Sequence, residues 1–331
     1  MPTATATTPM SFGCEAAMRV LVTGGAGFIG SHLVDALLSA GNTVRVLDDL
    51  SSGSIESVPV DTEFIKGSVS DERIVRQAVE GVDVVFHQAA HRAVLRSVEH
   101  PLTTDRANTH GTLALLQASV DAGVRRLVFA SSSSVYGGAE TMPTPETTQL
   151  HPRSPYAVSK IAGEYYCRVF AELYPLETVA LRYFNVYGPR QRPDSAYALV
   201  IPLFMQALID GECPIVHGDG RQSRDFTYVE DVVRANLAAA EAPGRICSGK
   251  AYNVAGGASY SLLELLDILG DMLGVKPSLV FEDPRAGDVR HTRADVTAAR
   301  RDLGHTPQVG FREGLLRTVK SFAAETRRKA V

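Results

Sequence analysis

The chain has 331 residues, of which 45% are hydrophobic and 21% charged, and its formal net charge at pH 7 is -4. This length suggests one large or two modest domains. No apolar run reaches the roughly 18 residues that a membrane helix needs. The slightly acidic net charge also gives no indication of the basic patch that a protein needs to bind nucleic acid or an anionic membrane. We therefore expect neither a nucleic-acid nor a membrane partner.

The cysteines are widely spaced and form no C-x-x-C pair, a pattern that predicts free thiols and no metal site. Free thiols suit the cytoplasm, which is the location we expect. The first residues are small and polar, without a basic region or an apolar core. We therefore predict a disordered tail over 1–17 rather than a secretory signal. The four cysteines are Cys14, Cys167, Cys213 and Cys247.

From Met18 onward, short valine-rich segments alternate with segments of helical periodicity. Ser70 is predicted to cap the helix that follows the third strand. In chain order, the predicted elements are strand MRVLVTG, helix FIGSHLVDALLSAG, strand NTVRVLD, strand TEFIKG, helix SDERIVRQAVEG, strand VDVVFHQAA, helix TTDRANTHGTLALLQASVDAG, strand RRLVFASSS, helix PYAVSKIAGEYYCRVFAELY and strand LETVALRYFNVYG. This alternation predicts an α/β protein with a doubly wound parallel (Rossmann) sheet.

Past Tyr187 the alternation ends, and proline-interrupted loops separate shorter predicted elements. We predict a Rossmann domain over 18–186 and a smaller mixed α/β substrate domain over 187–331. A segment near 225–256 is expected to return to the Rossmann body. The elements predicted here are helices near VIPLFMQALIDG, YVEDVVRANLAAAE and SLLELLDILGDMLG, and a strand at KAYNVAG.

A glycine-rich turn joins the first strand to its helix. Gly24, Gly27 and Gly30 have the spacing G-x-x-G-x-x-G, which allows a sharp turn and a close backbone approach to a pyrophosphate at the helix N-terminus. Asp48 ends the second strand, 18 residues after Gly30. A carboxylate there suits the ribose hydroxyls of NAD and repels the 2'-phosphate of NADP. The sequence therefore predicts NAD as the cofactor.

A second pattern, Y-x-x-x-K, places Tyr156 and Lys160 one turn apart on a predicted helix, so both share a face. An ammonium beside a phenol is expected to lower the tyrosine's pKa, as a general base needs. The serines 131–134 follow the fifth strand, at the sheet edge where ligands bind. Alone, this pattern is common by chance, and Tyr156 could simply be a packed aromatic residue. After the glycine turn and Asp48, we favour a catalytic group.

Together these residues resemble the extended short-chain dehydrogenase/reductase superfamily, in its nucleotide-sugar epimerase/dehydratase branch. The resemblance extends from Met18 to about Leu303. The motifs that carry it are VTGGAGFIGSHL, LDDLSSG, HQAA, NTHGT, SSSSVYG, SPYAVSK, RYFNVYGP, GDGRQSRDFTYVEDV, YNVAGG and PRAGDVRHTRAD. Each motif alone is weakly specific, but the set is highly specific.

The resemblance implies a role for each matched residue. Tyr156 would be the base, Lys160 would hold the nicotinamide ribose and Ser132 would assist at the substrate oxygen. Ser68 departs from the aspartate that relatives commonly place near adenine. The implied cofactor residues are Gly24, Gly27, Phe28, Ile29, Gly30, Asp48, Ser68, Val69, Gln88, Ala89, Ala90, Arg92, Asn108, Tyr156, Lys160 and Tyr183. The implied substrate residues are Ser132, Ser133, Ser134, Tyr156, Asn185, Arg192, Arg224, Arg285 and Asp288.

The resemblance also narrows the reaction. Relatives that eliminate water carry an Asp-Glu pair before V-Y-G, and decarboxylating relatives commonly carry a Glu, where this chain has Ser133 and Ser134. This leaves epimerisation at C4 through a transient 4-keto sugar with tightly held NAD. A non-catalytic NAD-binding relative would be expected to lack Tyr156 or Lys160. A homodimer is implied, through the helix that carries Tyr156 and the helix around Leu113.

The substrate depends on the loop YGPRQRPDSAY, at 187–197. Its R-P-D segment resembles that of UDP-glucuronate 4-epimerases, where Arg192 would hold the sugar carboxylate. We therefore expect conversion of UDP-glucuronate to UDP-galacturonate. The neighbouring RYFNVYGPRQ also resembles UDP-glucose and UDP-N-acetylglucosamine epimerases, so those sugars stay open as alternatives. Arg190 has either a surface or a ligand role.

Overall fold

The computed structural model describes residues 17–92, 94–191, 199–284 and 289–329, the last five of these by backbone only. The predicted tail thus lies outside the described residues, except for Ala17. The strands are β1 (Arg19–Thr23), β2 (Thr43–Asp48), β3 (Glu63–Lys66), β4 (Val84–His87), β5 (Arg126–Ser132), β6 (Glu177–Tyr183), β7 (Val186–Tyr187), β8 (Ile215–His217), β9 (Ser223–Asp225), β10 (Thr227–Tyr228), β11 (Lys250–Val254), β12 (Ser259–Ser261) and β13 (Val280–Glu282).

The helices vary from short turns to five-turn elements. They are α1 (Phe28–Ser39), α2 (Glu72–Val79), α3 (Val94–Glu99), α4 (Pro101–Asp105), α5 (Gly111–Asp121), α6 (Pro155–Leu173), α7 (Val200–Ile209), α8 (Val229–Glu241), α9 (Gly244–Cys247), α10 (Leu262–Leu273), α11 (Thr297–Leu303) and α12 (Phe311–Lys329). A π-helical turn, Arg106–His110, joins α4 to α5.

One seven-stranded sheet has the order β11-β6-β5-β4-β1-β2-β3, and every neighbouring pair in it is parallel. Its valine-rich strands are buried on both faces. Helices α2, α5 and α6 cover one face, and α1, α8 and α11 cover the other. The predicted doubly wound α/β class is confirmed. Since β1 lies between β2 and β4, the strand order reverses there, which is where ligands bind in such sheets.

Elsewhere in the described residues, short strands pair into three two-stranded sheets, β10-β7, β12-β9 and β13-β8. They pack with α7, α10 and α12 around a separate apolar core that contains Met205, Leu265 and Leu315. Strand β11 instead pairs with β6 in the large sheet. It lies within the segment 225–256 for which the sequence predicts a return to the Rossmann body. The domain boundaries themselves stay a prediction.

The predicted N-cap of helix α2 is wrong by one residue. Its N-cap is Asp71, not Ser70, and the Asp71 carboxylate accepts hydrogen bonds from the backbone N–H of Arg73 (3.0 Å) and Ile74 (3.3 Å). The Ser70 hydroxyl instead bonds to that of Ser68 at 2.9 Å. A carboxylate one residue nearer the helix can satisfy two orphan N–H groups, which explains the later start.

The described ranges contain neither a membrane-spanning helix nor a metal-binding cluster of side chains. No helix there is both long enough and apolar enough to cross a membrane. In the same residues, no three His, Cys, Asp or Glu side chains group together in a way that could hold a metal ion.

Candidate active site

The glycine turn between β1 and α1 leaves no room for side chains. A Cβ on Gly30 would lie 2.1 Å from the carbonyl oxygen of Gly24, and one on Gly24 would lie 2.7 Å from the backbone nitrogen of Ala89. Gly24 also has a φ of +70°, which favours glycine. Gly27 caps α1 without a side-chain hydrogen bond. The first-turn N–H groups of α1 therefore suit an anionic ligand such as a phosphate.

Asp48 faces the same turn from the end of β2. Its Oδ2 accepts a hydrogen bond from the Ala26 N–H (3.0 Å) and its Oδ1 accepts one from the Leu50 N–H (2.8 Å). Burial raises the pKa of this carboxyl, and the two backbone hydrogen bonds act in the opposite direction. The carboxylate is thus held in a fixed position next to the glycine turn.

One cavity at the carboxyl edge of the sheet is lined by the predicted cofactor residues. Asn108 is the exception among them. Backbone segments after β2, β3 and β4 form one wall, and α6 forms another. The predicted residues that line the cavity are Gly24, Gly27, Phe28, Ile29, Gly30, Asp48, Ser68, Val69, Gln88, Ala89, Ala90, Arg92, Tyr156, Lys160 and Tyr183.

Asn108 lies behind the cavity wall. From the π-helical turn, its Oδ1 accepts a hydrogen bond from the His91 N–H (2.8 Å), and its Nδ2 donates to the His91 carbonyl (3.2 Å) and to the Ser159 hydroxyl (3.0 Å). Asn108 therefore fixes the segment that precedes Arg92 and links it to α6.

Tyr156 and Lys160 share a face of α6, and both are buried. The helix begins next to them because Ser154 caps it, its hydroxyl accepting the Ala157 N–H at 3.1 Å. The Lys160 ammonium donates to the carbonyl of Ala130 at 2.8 Å and lies 5.8 Å from the centre of the Tyr156 ring. Lys160 is thus anchored to β5, with the Tyr156 ring beside it.

The pKa prediction for Tyr156 is wrong in direction. Burial raises the pKa of its phenol, while a hydrogen bond with the Ser132 hydroxyl and the charge of Arg92 act in the opposite direction. Burial also lowers the pKa of Lys160 to about 8. Desolvation outweighs the neighbouring charge here. The cation that favours the phenolate in this structure is Arg92, not Lys160.

Ser131 and Ser132, at the end of β5, have different hydrogen-bond partners. The Ser131 hydroxyl donates to Glu164 of α6, which pairs with Arg182 at 2.7 Å, so this hydroxyl is already bonded within the protein although Ser131 lines the cavity. Ser132 receives hydrogen bonds from the Ser134 hydroxyl (2.9 Å) and from the Ser134 N–H (3.2 Å). Because Ser134 donates to it, the Ser132 hydroxyl hydrogen is available for Tyr156.

Two further predicted substrate residues, Asn185 and Arg224, lie within the described residues. Asn185 has a φ of +29°, and its Nδ2 donates to the carbonyl of Asp225 (3.1 Å) and the hydroxyl of Thr292 (3.4 Å). Arg224 in β9 donates to the carbonyl oxygens of Ser223 (3.0 Å) and Arg290 (3.3 Å). The other predicted substrate residues, Arg192, Arg285 and Asp288, lie outside the described residues.

Arg190 has a partner within the protein. Its guanidinium pairs with the carboxylate of Asp35 on α1 at 2.6 Å, and its backbone adopts a φ of +65°. One turn earlier on α1, His32 Nε2 lies 3.0 Å from the carbonyl oxygen of Pro189. The geometry favours the surface alternative for Arg190, because its charge is already paired.

Sequence reasoning missed Asn236 of α8. This fully buried residue hydrogen-bonds both Gln88 and Tyr183, which line the cavity. It lies 148 residues beyond Gln88 in the chain. No local pattern marks such a contact, because it depends on how α8 packs against the sheet.

With this geometry in place, comparison with known proteins identifies the family. Residues 20–255 match the model of the NAD dependent epimerase/dehydratase family. The chain belongs to this family. This match confirms the predicted family. It also confirms, at the level of the family, that the chain is an NAD-dependent enzyme with NAD as its cofactor.

Three similar proteins have instructive names. The chain is 41% identical over 312 residues to a UDP-glucose 4-epimerase from Mycolicibacterium smegmatis, with 92% of this chain and 98% of that relative covered. The structure of a UDP-glucose 4-epimerase with UDP-glucose from Thermotoga maritima is similar with a TM-score of 0.90 at 39% identity, covering 93% and 100%. MoeE5, solved with UDP-glucuronic acid and NAD, gives 0.84 at 38%, covering 94% and 99%, and was also solved with UDP-glucose.

Proposed function

We propose that this protein is a UDP-sugar 4-epimerase, with UDP-glucose and UDP-galactose as its main substrates. The observation that carries the proposal is the buried Tyr156, bonded to Ser132 and close to Arg92, in the same cavity as the glycine turn and Asp48. The names of the relatives favour UDP-glucose over UDP-glucuronate, which the sequence alone had favoured. The preferred substrate is revised accordingly.

The residues of the cavity fit NAD. A Cβ would fill the glycine turn where a pyrophosphate needs backbone contact, and the Asp48 carboxylate suits two ribose hydroxyls. Lys160 would hold the nicotinamide ribose. When bound, NAD supplies the acceptor and the donor of a hydride. The cofactor ends each cycle in its starting state, so it is retained rather than released.

The chain's own residues move the proton. Tyr156 removes the proton of the C4 hydroxyl as that carbon is oxidised, and returns it after the 4-keto sugar has turned its other face. Ser132 donates a hydrogen bond to the reacting oxygens, and Ser134 orients the Ser132 hydroxyl. Serines at 133 and 134 offer no carboxyl acid–base pair, so loss of water is not supported.

Product analysis tests this proposal. The purified protein is incubated separately with UDP-glucose, UDP-glucuronate and UDP-N-acetylglucosamine without added NAD, and the products are resolved by NMR. We expect UDP-galactose from UDP-glucose at the highest rate. Faster turnover of another sugar would overturn the substrate assignment. A requirement for added NAD in stoichiometric amounts would overturn epimerisation itself.

UDP-glucuronate is the second candidate, supported by the R-P-D segment and by the complex of MoeE5 with UDP-glucuronic acid. The same assay with Arg192→Ala tests it, and Arg190→Ala is the matched control because its charge pairs with Asp35. If UDP-glucuronate is a substrate, Arg192→Ala should reduce its turnover far more than that of UDP-glucose. Equal losses on both sugars would remove Arg192 from a carboxylate site.

A homodimer is also proposed, with a revised face. Leu113 is packed against the core, whereas Leu102 of α4 is 85% exposed. Val158, Val169 and Leu173 lie exposed on the adjacent α6. An apolar face of this kind on two packed helices suits a second copy of the chain. A monomeric mass in solution, measured by light scattering, would overturn this assignment.

A further inference from the structure

Three polar side chains, two of which line the cavity, form a closed hydrogen-bonded group. Gln88, after β4, donates from Nε2 to the Tyr183 hydroxyl (3.1 Å) and to Asn236 Oδ1 (3.0 Å). Asn236, on α8, donates from Nδ2 to the Tyr183 hydroxyl at 2.8 Å. Gln88 and Tyr183 line the cavity together with Tyr156 and Lys160, whereas Asn236 stands behind them.

The hydrogen bonds fix the orientation of the Asn236 amide. Its Nδ2 also donates to the carbonyl oxygen of Val232, one turn back along α8, at 2.8 Å. The Oδ1 atom must therefore face Gln88. The Tyr183 hydroxyl hydrogen then has two acceptors to choose between, Asn236 Oδ1 (3.1 Å) and Gln88 Oε1 (3.3 Å). The group has a single self-consistent arrangement of its amides.

The surroundings of this group are apolar. Tyr183 packs in the same cluster as Val232, Val233 and Ala235, and Asn236 has no exposed surface. An apolar side chain would fill such a site without the cost of burying an amide. A fully bonded polar group in an apolar core enforces one arrangement of the side chains that it holds. Here the side chains held are two that face the cofactor cavity.

We propose that Asn236 is a positioning residue, which holds Gln88 and Tyr183 against the cofactor and so slows the loss of NAD from the protein. The proposal rests on the proposed function in that NAD is the ligand of this cavity. It goes further by assigning cofactor retention to a helix with no residue in the cavity lining. An epimerase needs this retention because its cofactor must survive both halves of the reaction.

The test compares Asn236→Leu with Asn253→Leu. Asn253 is equally buried and also bonds to a tyrosine, Tyr136 at 2.7 Å, but it is not among the cavity residues. Purified holoprotein is diluted, and the NAD that dissociates is followed over time. We expect about tenfold faster NAD loss for Asn236→Leu, the effect of roughly one hydrogen bond, with turnover partly restored by added NAD. Asn253→Leu should retain NAD like the wild type.

A double-mutant cycle with Tyr183→Phe separates positioning from a general loss of stability. Since Asn236 acts through the Tyr183 hydroxyl, the two substitutions should be non-additive for NAD loss. Additive effects, or equal NAD loss from the Asn253 variant, would overturn the proposal. If Asn236→Leu does not fold, Tyr183→Phe alone must still speed NAD loss, and unchanged loss would overturn it. NAD dissociation is measurable whatever the enzyme's substrate, so a failed epimerase assay would leave this result distinct.

Discussion

The two halves of the molecule build their sites differently. Before Tyr187, several candidate functional side chains lie at strand ends, such as Asp48 at the end of β2 and Ser132 at the end of β5. Beyond Tyr187, they come from short strands and loops, such as Arg224 in β9. Side chains at strand ends lie close together independently of the loop conformations, because parallel strands bring their carboxyl ends to one edge of the sheet. The positions of the side chains beyond Tyr187 depend on each loop separately.

The residues expected to carry out the reaction and those expected to select the substrate therefore lie in different halves. The regular half holds the proposed base Tyr156, Lys160 and the glycine turn in one cavity, so we expect it to carry the chemistry of the reaction. The irregular half holds the residues expected to grip the UDP-sugar, and loops of this kind vary most among relatives. Relatives with similar folds can therefore act on different sugars.

The largest effect on the regular half is expected for Gly30→Ala. Its Cβ would lie 2.1 Å from the Gly24 carbonyl, so the turn must open and NAD should be lost together with all activity. The NAD released on denaturing the purified protein measures this. Gly310→Ala is the control, because a Cβ there meets nothing within 4 Å. Normal NAD content in Gly30→Ala would show that the turn does not contact the cofactor.

The next largest effect is expected for Tyr156→Phe. Loss of the general base should lower kcat by about 10²–10⁴-fold, while NAD stays bound because the aromatic ring is retained. Tyr165→Phe on the same helix is the control, since that side chain is 57% exposed. Turnover and NAD content of both variants are compared. Retained activity in Tyr156→Phe would refute the assignment of the base.

Ser132→Ala should give a smaller loss with a distinctive pH dependence. The Ser132 hydroxyl lowers the pKa of Tyr156, so its removal raises that pKa. The phenolate then forms only at higher pH, and the rise of kcat with pH should move in the alkaline direction. Ser134→Ala should shift it less, because the Ser134 hydroxyl donates to Ser132, which lies between it and Tyr156 in this chain of hydrogen bonds. An unchanged pH profile for Ser132→Ala would contradict this role.

The sequence predicted the regular half well because its signals are local. Glycine spacing, strand periodicity and Y-x-x-x-K all lie within one or two elements. It missed Asn236, since a contact across 148 residues leaves no pattern in one sequence. It also misjudged the pKa of Tyr156, because the cost of burial depends on packing from several elements at once. The loop with Arg192 offered only a resemblance, and the substrate prediction changed accordingly.

The smallest effect is expected where the two halves are tied together, at Arg190 and Asp35. These side chains are 37% and 41% exposed, so their ion pair should contribute about 1 kcal/mol or less to the free energy of unfolding. A double-mutant cycle with Arg190→Ala and Asp35→Ala, followed by urea denaturation, measures this coupling. The coupling should weaken as salt is added, because exposed charges are screened.

The same variants decide the role of Arg190. If it only anchors the turn to α1, Arg190→Ala and Asp35→Ala should change the KM for UDP-glucose to the same small extent. NAD content should be unaffected in both, since neither residue lines the cofactor cavity. A large rise in KM for Arg190→Ala alone would mean that the guanidinium leaves Asp35 to bind the substrate. The irregular half would then supply one more residue to the substrate site.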